Sequence, residues 1–137
     1  MRYLVDTCIF MYAAGSESDH KASCAAILRR IHAGEIEAAI TTETFQEITY
    51  RFSRMGKTKD GADMCWRILA MGLAVLPVTE LDIANYLELI KKYGYSVSNR
   101  DLLQVCVAQG NEIQNVITVD LDFRGYSEVS AVLPGKV

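Results

Sequence analysis

The stretch Tyr-Leu-Val-Asp at residues 3–6 places a carboxylate directly after three apolar residues. A short apolar run of this kind is typical of a strand that is buried on both faces of a sheet. Similar runs recur at residues 38–40, 74–76, 116–117 and 131–133, and longer segments with helical patterns separate them. This alternation predicts an α/β fold of three layers, in which helices cover both faces of a parallel sheet.

Six helices are predicted between these strands from the spacing of apolar residues. They cover approximately residues 8–12, 19–33, 42–55, 58–71, 80–93 and 98–109. Ser18 or Asp19 is the expected cap of the second helix, and Ser98 with Asp101 has the spacing of a capping box at the start of the sixth. The fourth helix carries an apolar stripe that we expect to face the core, and it consists of Ala62, Cys65, Trp66 and Leu69.

Composition narrows the classes of function. The 137 residues fit a single domain over residues 1–137. No apolar run approaches the ~18 residues of a membrane span, and the N-terminus is a poor signal peptide, so a cytoplasmic location without a membrane partner is expected. With 14 basic against 17 acidic residues and a net charge of −3, the chain is not expected to coat nucleic acid by charge alone. The four cysteines lie far apart, which disfavours a zinc site or a disulfide framework.

Acidic residues occur near the ends of several predicted strands. Asp6 follows the first strand directly, Glu47 lies on the helix after the second, Asp101 is in the first turn of the sixth helix, and Asp120 and Asp122 follow the fourth strand. Ligands of parallel sheets bind at the carboxyl edge, so we expect these side chains to gather there. Two carboxylates ~4 Å apart repel by ~4 kcal/mol at an effective dielectric of ~20, so such a group needs a cation. Oxygen ligands favour Mg²⁺ or Mn²⁺, which is typical of metal-assisted phosphodiester hydrolysis.

Each of these acids also has a structural interpretation. Asp6 is a possible helix cap, Glu47 could simply lie on a solvated helix face, and Asp101 completes a capping box and complements the helix dipole. Asp120 and Asp122 have the composition of an ordinary turn. The functional interpretation therefore depends on the whole group of acids.

The order and spacing of these motifs resemble the PIN-domain family, and in particular the VapC-type toxins of prokaryotic toxin–antitoxin pairs. The resemblance extends from residue 2 to about residue 134. It is carried by VDTCIF with Asp6, by the Thr41-x5-Glu47 spacing, by NRDLLQVCVA with Asp101, and by ITVDLDF with Asp120 and Asp122. It implies a parallel sheet of about five strands and an Mg²⁺- or Mn²⁺-dependent ribonuclease.

The resemblance also implies catalytic and metal-binding roles. The positions that match the family's acidic quartet are Asp6, Glu47, Asp101 and Asp120. The implied metal ligands are Asp6, Asp101 and Asp120, with Asp122 as a further acid, and Glu47 would orient a metal-bound water or a second ion. Related sequences often have a histidine at the position of Gln104, so a role for an imidazole there is not expected.

Substrate and partner contacts are further implications of the resemblance. Thr7 and Thr118 match hydroxyl positions beside the acids, and with Arg100 they are the candidate substrate-binding residues. The family usually forms homodimers, and a cognate antitoxin protein is the expected regulator. The candidate partner contacts are Phe45, Phe52, Met55 and Trp66.

Two alternatives remain open at the level of sequence. One is a PIN-like module that binds RNA or a protein without cutting, whose thermal stability would barely respond to Mn²⁺. The other is a metal-dependent DNA nuclease or phosphohydrolase on a similar sheet, which would differ in its choice of substrate.

Overall fold

The computed structural model describes residues 2–95 and 99–137, and within them it contains a five-stranded sheet in which every pairing is parallel. The strands are β1 (Arg2–Val5), β2 (Glu37–Thr41), β3 (Ala74–Leu76), β4 (Asn115–Ile117) and β5 (Ser130–Val132). Their order across the sheet is β3-β2-β1-β4-β5. The α/β fold and each of the five predicted strands are confirmed.

All six predicted helices are present, with ends that differ from the predicted ends by a few residues at most. They are α1 (Thr7–Ala14), α2 (Lys21–His32), α3 (Thr42–Arg54), α4 (Thr58–Ala70), α5 (Glu80–Tyr93) and α6 (Asn99–Gly110). Two short 3₁₀ helices follow at Leu121–Gly125 and Pro134–Lys136. Among the described residues, no helix has both the length and the apolar character needed to cross a membrane.

The strand order explains how the helices are divided between the two faces of the sheet. The chain runs outward from β1 through β2 to β3, and then returns to the other side of β1 for β4 and β5. Because parallel crossovers are right-handed, helices of the outward and returning halves cover opposite faces. Buried residues of α1 to α4 accordingly pack with Val5 and Ile40, whereas those of α6 pack with Leu4 and Ala39.

This topology places the functional edge between β1 and β4. The direction of strand addition reverses at this pair, and ligands of open α/β sheets bind beyond the strand ends at such a reversal. Asp6 follows β1 and Thr118 follows β4, so both begin the loops that border the reversal.

The predicted apolar stripe of α4 is only partly correct. Trp66 is 70% exposed and Leu69 is 49% exposed, whereas Cys65 is buried. The buried residues of this helix are Gly61, Met64, Cys65 and Ile68. They have the i, i+3, i+4, i+7 spacing of one helical face, so the inward face is rotated relative to the predicted one.

The residues at the helix ends agree only in part with the predicted capping residues. The N-cap of α2 is His20, and Ser18 acts from outside the helix by accepting a bond from the His20 N–H at 3.3 Å, so the expected Ser18 or Asp19 cap is wrong. Gly94 follows the last residue of α5, with a φ of 85° that favours glycine. The capping box predicted for Ser98 and Asp101 involves a residue outside the described ranges.

Candidate active site

Asp6 is a buried carboxylate at the reversal point of the sheet. Its N–H donates to the Ile117 carbonyl at 3.0 Å, which extends the pairing of β1 and β4 by one residue. Its Oδ2 accepts two side-chain bonds, from the Thr118 hydroxyl at 2.8 Å and from the Cys8 thiol at 3.0 Å. Burial raises the pKa of Asp6, the two bonds oppose this, and the charges of Glu47 and Asp120 raise the pKa further.

Thr118 connects Asp6 to the acidic loop after β4. Its hydroxyl donates to Asp6 and at the same time accepts from the Asp120 N–H at 2.9 Å. Asp120 in turn accepts from the Asp122 N–H at 2.9 Å and so caps the 3₁₀ helix at Leu121–Gly125. Two acids on different loops are therefore held relative to one another by a single buried hydroxyl.

Three aspartates converge at this edge of the sheet. One carboxylate oxygen from each of Asp101, Asp120 and Asp122 lies within 4.8 Å of the others. Asp101 and Asp120 are half-buried, and Asp122 is exposed, so the group is open to solvent on one side. Burial and then the charges of Asp101 and Asp122 raise the pKa of Tyr126 to about 12, which indicates that this buried phenol lies close to the same group.

The donor set fits a hard divalent cation. Mg²⁺ takes oxygen ligands at about 2.0–2.1 Å, so two ligands on opposite sides of one ion lie about 4.2 Å apart. Three carboxylate oxygens within 4.8 Å of one another need only small side-chain movements to reach that spacing. Asp6 is not among these three; it lies behind them, joined to Asp120 through Thr118.

Glu47 lies at the edge of the site on α3. Its Oε1 accepts from Arg51 Nη2 at 3.0 Å, one helical turn along. The Glu47 side chain is 14% exposed, so it does not lie on an ordinary solvated face. Its partner Arg51 lines the same cavity as Asp120, and the charge of Glu47 contributes to raising the pKa of Asp6.

The two predicted substrate-binding threonines are buried and contact protein groups. Thr118 bonds Asp6 and Asp120, and the Thr7 hydroxyl accepts from Gln104 Nε2 at 3.4 Å. Gln104 lies on α6 one turn after Asp101, and its buried Oε1 has no hydrogen-bond partner among the described residues. Gln104 thus connects the helix that carries Asp101 to the start of α1, and the role of the threonines as substrate contacts stays a prediction.

A cavity of about 580 Å³ opens beside Asp120. It is lined on one side by α1, with Cys8, Met11 and Tyr12, and on the other by Arg51 and the loop after β4. Cys8 was not among the predicted site residues. The available signal was its position two residues after Asp6, in the first turn of α1.

The remaining predicted contacts lie on the surface around α3 and α4. Met55 is 56% exposed and Trp66 is exposed, whereas Phe45 and Phe52 are partly buried against the core. Arg100 is exposed, and its guanidinium lies 5.0 Å from the centre of the Tyr50 ring. Tyr50 was not among the predicted site residues, because an exposed tyrosine on a helix has no distinctive sequence signal.

Comparison with known structures supports this fold. VapBC2 from Rickettsia felis, solved bound to a promoter DNA fragment, is 20% identical with a TM-score of 0.75, over 97% of this chain and 98% of that one. VapC20 of Mycobacterium tuberculosis, described as a sarcin–ricin loop cleaving toxin, is 18% identical with a TM-score of 0.72, over 93% and 98%. FitAcB from Neisseria gonorrhoeae is 18% identical with a TM-score of 0.73 over 100% of both chains.

No individually curated protein matches the sequence. The family model for the PIN domain matches residues 3–129, a range that includes β2, β3, β4, nearly all of β1 and every candidate acid. The chain therefore belongs to the PIN-domain family.

Proposed function

We propose that this protein is a metal-dependent endoribonuclease and the toxin of a toxin–antitoxin pair. The observation that carries the proposal is the convergence of Asp101, Asp120 and Asp122 at the carboxyl edge of the sheet. Membership of the PIN-domain family supports it, as do the structural neighbours. One of these neighbours is described as a toxin that cleaves the sarcin–ricin loop, and another is a toxin–antitoxin complex from Klebsiella pneumoniae with a TM-score of 0.67.

The acidic residues of the site would have different roles in the reaction. Asp101, Asp120 and Asp122 would hold Mg²⁺ or Mn²⁺. Asp6, which Thr118 joins to Asp120, would be a further ligand. A bound ion at this place supplies polarisation of the phosphate, activation of water and stabilisation of the leaving oxygen. Glu47, held by Arg51, is positioned at the rim to orient the attacking water. The expected products are a 5′-phosphate and a 3′-hydroxyl.

Thr118 and Gln104 position the carboxylates through contacts on the protein side of the site. The Thr118 hydroxyl holds Asp6 and the Asp120 backbone in a fixed position relative to each other. Because these groups are already ordered, less conformational entropy is lost when the acids bind an ion. Gln104 fixes α6, and with it Asp101, against Thr7. Such supporting contacts decide whether the ligands meet at metal-binding distances.

The proposal includes a regulator and an assembly. A cognate antitoxin would mask the site, and the exposed Met55 and Trp66, with Phe45 and Phe52 between them and the core, are the proposed contact surface. The protein would act in the cytoplasm as a single-domain chain that forms homodimers.

Cleavage of RNA tests the proposal directly. Purified protein free of antitoxin is incubated with end-labelled single-stranded RNA and total tRNA, in Mn²⁺ and in EDTA. We expect cleavage only with the metal, and a loss of at least about a hundredfold in the Asp101→Asn variant, because a carboxylate that contacts the ion is removed. Asp60→Asn, which removes the same charge from an exposed position on α4, is the matched control and should cut like the wild type.

Thermal melting with and without Mn²⁺ separates the alternatives. A protein that cuts no RNA, and whose melting temperature does not respond to Mn²⁺, would be a binding module and the proposal would be wrong. Cleavage of duplex DNA or of a phosphomonoester in place of RNA would retain the metal site but contradict the assigned substrate.

A further inference from the structure

Two arginines from different helices lie over one exposed tyrosine beside the acidic site. The Arg100 guanidinium, in the first turn of α6, is 5.0 Å from the centre of the Tyr50 ring. The Arg54 guanidinium, one turn after Tyr50 on α3, is 6.0 Å from the same centre. Tyr50 is 44% exposed, so the three side chains form a surface feature, which we call the arginine–tyrosine cluster.

Among the described residues neither of these arginines has a carboxylate partner, in contrast to two basic residues nearby. Arg51 pairs with Glu47, and Lys59 pairs with Asp63. Within residues 2–95 and 99–137, neither Arg54 nor Arg100 has a salt bridge or a hydrogen bond from its guanidinium. Each guanidinium therefore retains five N–H donors in a planar fork that matches phosphate oxygens.

Two local effects act against the positive charge of Arg100 when no anion is bound, whereas the neighbouring carboxylates act in its favour. It lies at the N-terminus of α6, where the helix dipole is positive and a cation is destabilised. It also shares one aromatic ring with a second cation, so the two guanidinium charges repel each other. An anion bound between them removes both penalties, and local rules are most often broken in this way at functional sites.

We propose that the arginine–tyrosine cluster binds the phosphate backbone of the RNA strand next to the cleaved bond, with Tyr50 offering its ring edge to a neighbouring base. This inference rests on the proposed function and assigns to it a substrate-anchoring site. Tyr50 follows Glu47 by about one turn on α3, and Arg100 and Asp101 share the first turn of α6, so both helices that carry the cluster also carry acids of the candidate site. A phosphate held by the cluster would therefore lie near those acids. Stacking on an aromatic ring and contact with guanidinium planes are the usual means of holding single-stranded RNA.

RNA fits this surface better than an acidic protein segment does. The cluster lies next to three aspartates that would repel further carboxylates. An RNA strand avoids this repulsion because the phosphate that enters the acidic group is neutralised there by the divalent cation, while the next phosphate meets the arginines. A strand of phosphodiesters can therefore span the acidic group and the arginine–tyrosine cluster at the same time.

Binding of a fluorescently labelled single-stranded RNA, measured by anisotropy over a range of salt concentrations with Ca²⁺ in place of Mg²⁺ or Mn²⁺ so that the acidic group holds a divalent cation, tests the inference. The variants are Arg54→Gln, Arg100→Gln and the double substitution. Removal of both guanidinium groups should weaken binding by about tenfold or more in the double variant. The slope of log K against log salt should become shallower by about 0.7 for each phosphate that the variant no longer binds. Arg54→Lys with Arg100→Lys should recover the slope and only part of the affinity, because lysine retains the charge without the fork.

The controls separate this inference from the proposed function. Arg29→Gln removes an exposed arginine near the end of α2, at the opposite edge of the sheet, and should bind RNA like the wild type. Wild-type protein that cuts RNA with Mn²⁺, together with a double variant whose affinity and salt slope are unchanged, overturns the inference alone and leaves an acidic protein segment as the ligand of the cluster. Wild-type protein that neither binds nor cuts RNA overturns both proposals.

Discussion

Thr118 shows how much of the site depends on one side chain. It is almost fully buried, and its single hydroxyl serves two acids by donating to Asp6 and accepting from the Asp120 backbone. Asp6 would otherwise be a buried carboxylate near two other negative charges, those of Glu47 and Asp120. Without a bound ion these negative charges repel one another and lower the stability of the folded protein. A site that binds a metal through several carboxylates carries this cost.

We expect the Asp6→Asn variant to be more stable than the wild type at pH 7 in EDTA. The pKa of Asp6 in the folded state is raised above 3.8, its ordinary value. Between pH 3.8 and the raised pKa the folded state therefore binds more protons than the unfolded state. The stability of the folded state falls as the pH rises through this range. Asparagine has no such charge, and its carbonyl oxygen can accept the two bonds that Oδ2 accepts.

Thermal melting from pH 3 to 8 measures this effect. The advantage of Asp6→Asn should shrink as the pH approaches 3.8, the ordinary pKa of an aspartate. Asp60→Asn provides the control for loss of a negative charge. A variant that is less stable than the wild type at pH 7 would show that the carboxylate is stabilising and that its pKa is not raised.

At the level of elements, the packing of α3 against α4 positions Glu47 and the arginine–tyrosine cluster. The two helices approach each other closely at Gly61, where an added Cβ would lie 2.8 Å from Phe52 Cβ. Both are atoms near the backbone, so neither can move without moving its helix. The glycine in the first half of α4 is therefore explained by helix–helix contact.

We expect Gly61→Ala to destabilise the protein although alanine is the better helix former. The gain in helix propensity is at most about 1 kcal/mol. Overpacking costs about 1–3 kcal/mol, so the net loss should be up to about 2 kcal/mol. Urea unfolding measures it, with Gly135→Ala as control because a Cβ there meets nothing within 4 Å. Equal or greater stability of Gly61→Ala would mean that the two helices separate at no cost.

At the scale of the whole molecule, one group of polar side chains ties the end of α5 to the segment before β5. Lys92 Nζ donates to Glu128 Oε2 at 2.6 Å, and the Tyr93 hydroxyl donates to Glu128 Oε1 at 2.5 Å. Ser127 contacts both Lys92 and Tyr93. Because α6 follows α5 in the chain and packs against it, this group helps to hold the layer that carries Asp101.

We expect Glu128→Gln to lower the melting temperature at pH 7 and to have little effect at low pH. Burial acts to raise the pKa of Glu128, but the bonds from Lys92, Tyr93 and Ser127 outweigh it and leave the pKa lowered from 4.5. A lowered folded-state pKa stabilises the folded protein above 4.5, and this contribution is lost as the pH falls through the lowered value.

Calorimetry of wild type and variant at several pH values tests this sign. Glu88→Gln breaks an exposed pair with Lys91 and should change little at any pH. If the difference between wild type and Glu128→Gln grew as the pH fell, the group would not be anchored by an ionised Glu128.

Local patterns in the chain dictate the element order, because each strand is a short apolar run and each helix repeats its apolar residues along one face. They also place the acids after the strands, and the parallel topology then brings them to one edge. The local pattern could not predict the rotation of α4, since Trp66 and Ile68 are both apolar and only packing in the folded protein decides which of them is buried.

Only the tertiary structure decided which residues that are distant in sequence lie next to each other. It grouped Asp101 with Asp120 and Asp122, set Asp6 behind them on the hydroxyl of Thr118, and brought Arg100 of α6 over Tyr50 of α3. These relations are set by distances of a few ångströms between side chains on different elements. A linear pattern specifies which face of its own helix or strand a residue occupies, but not which side chain of another element it meets there.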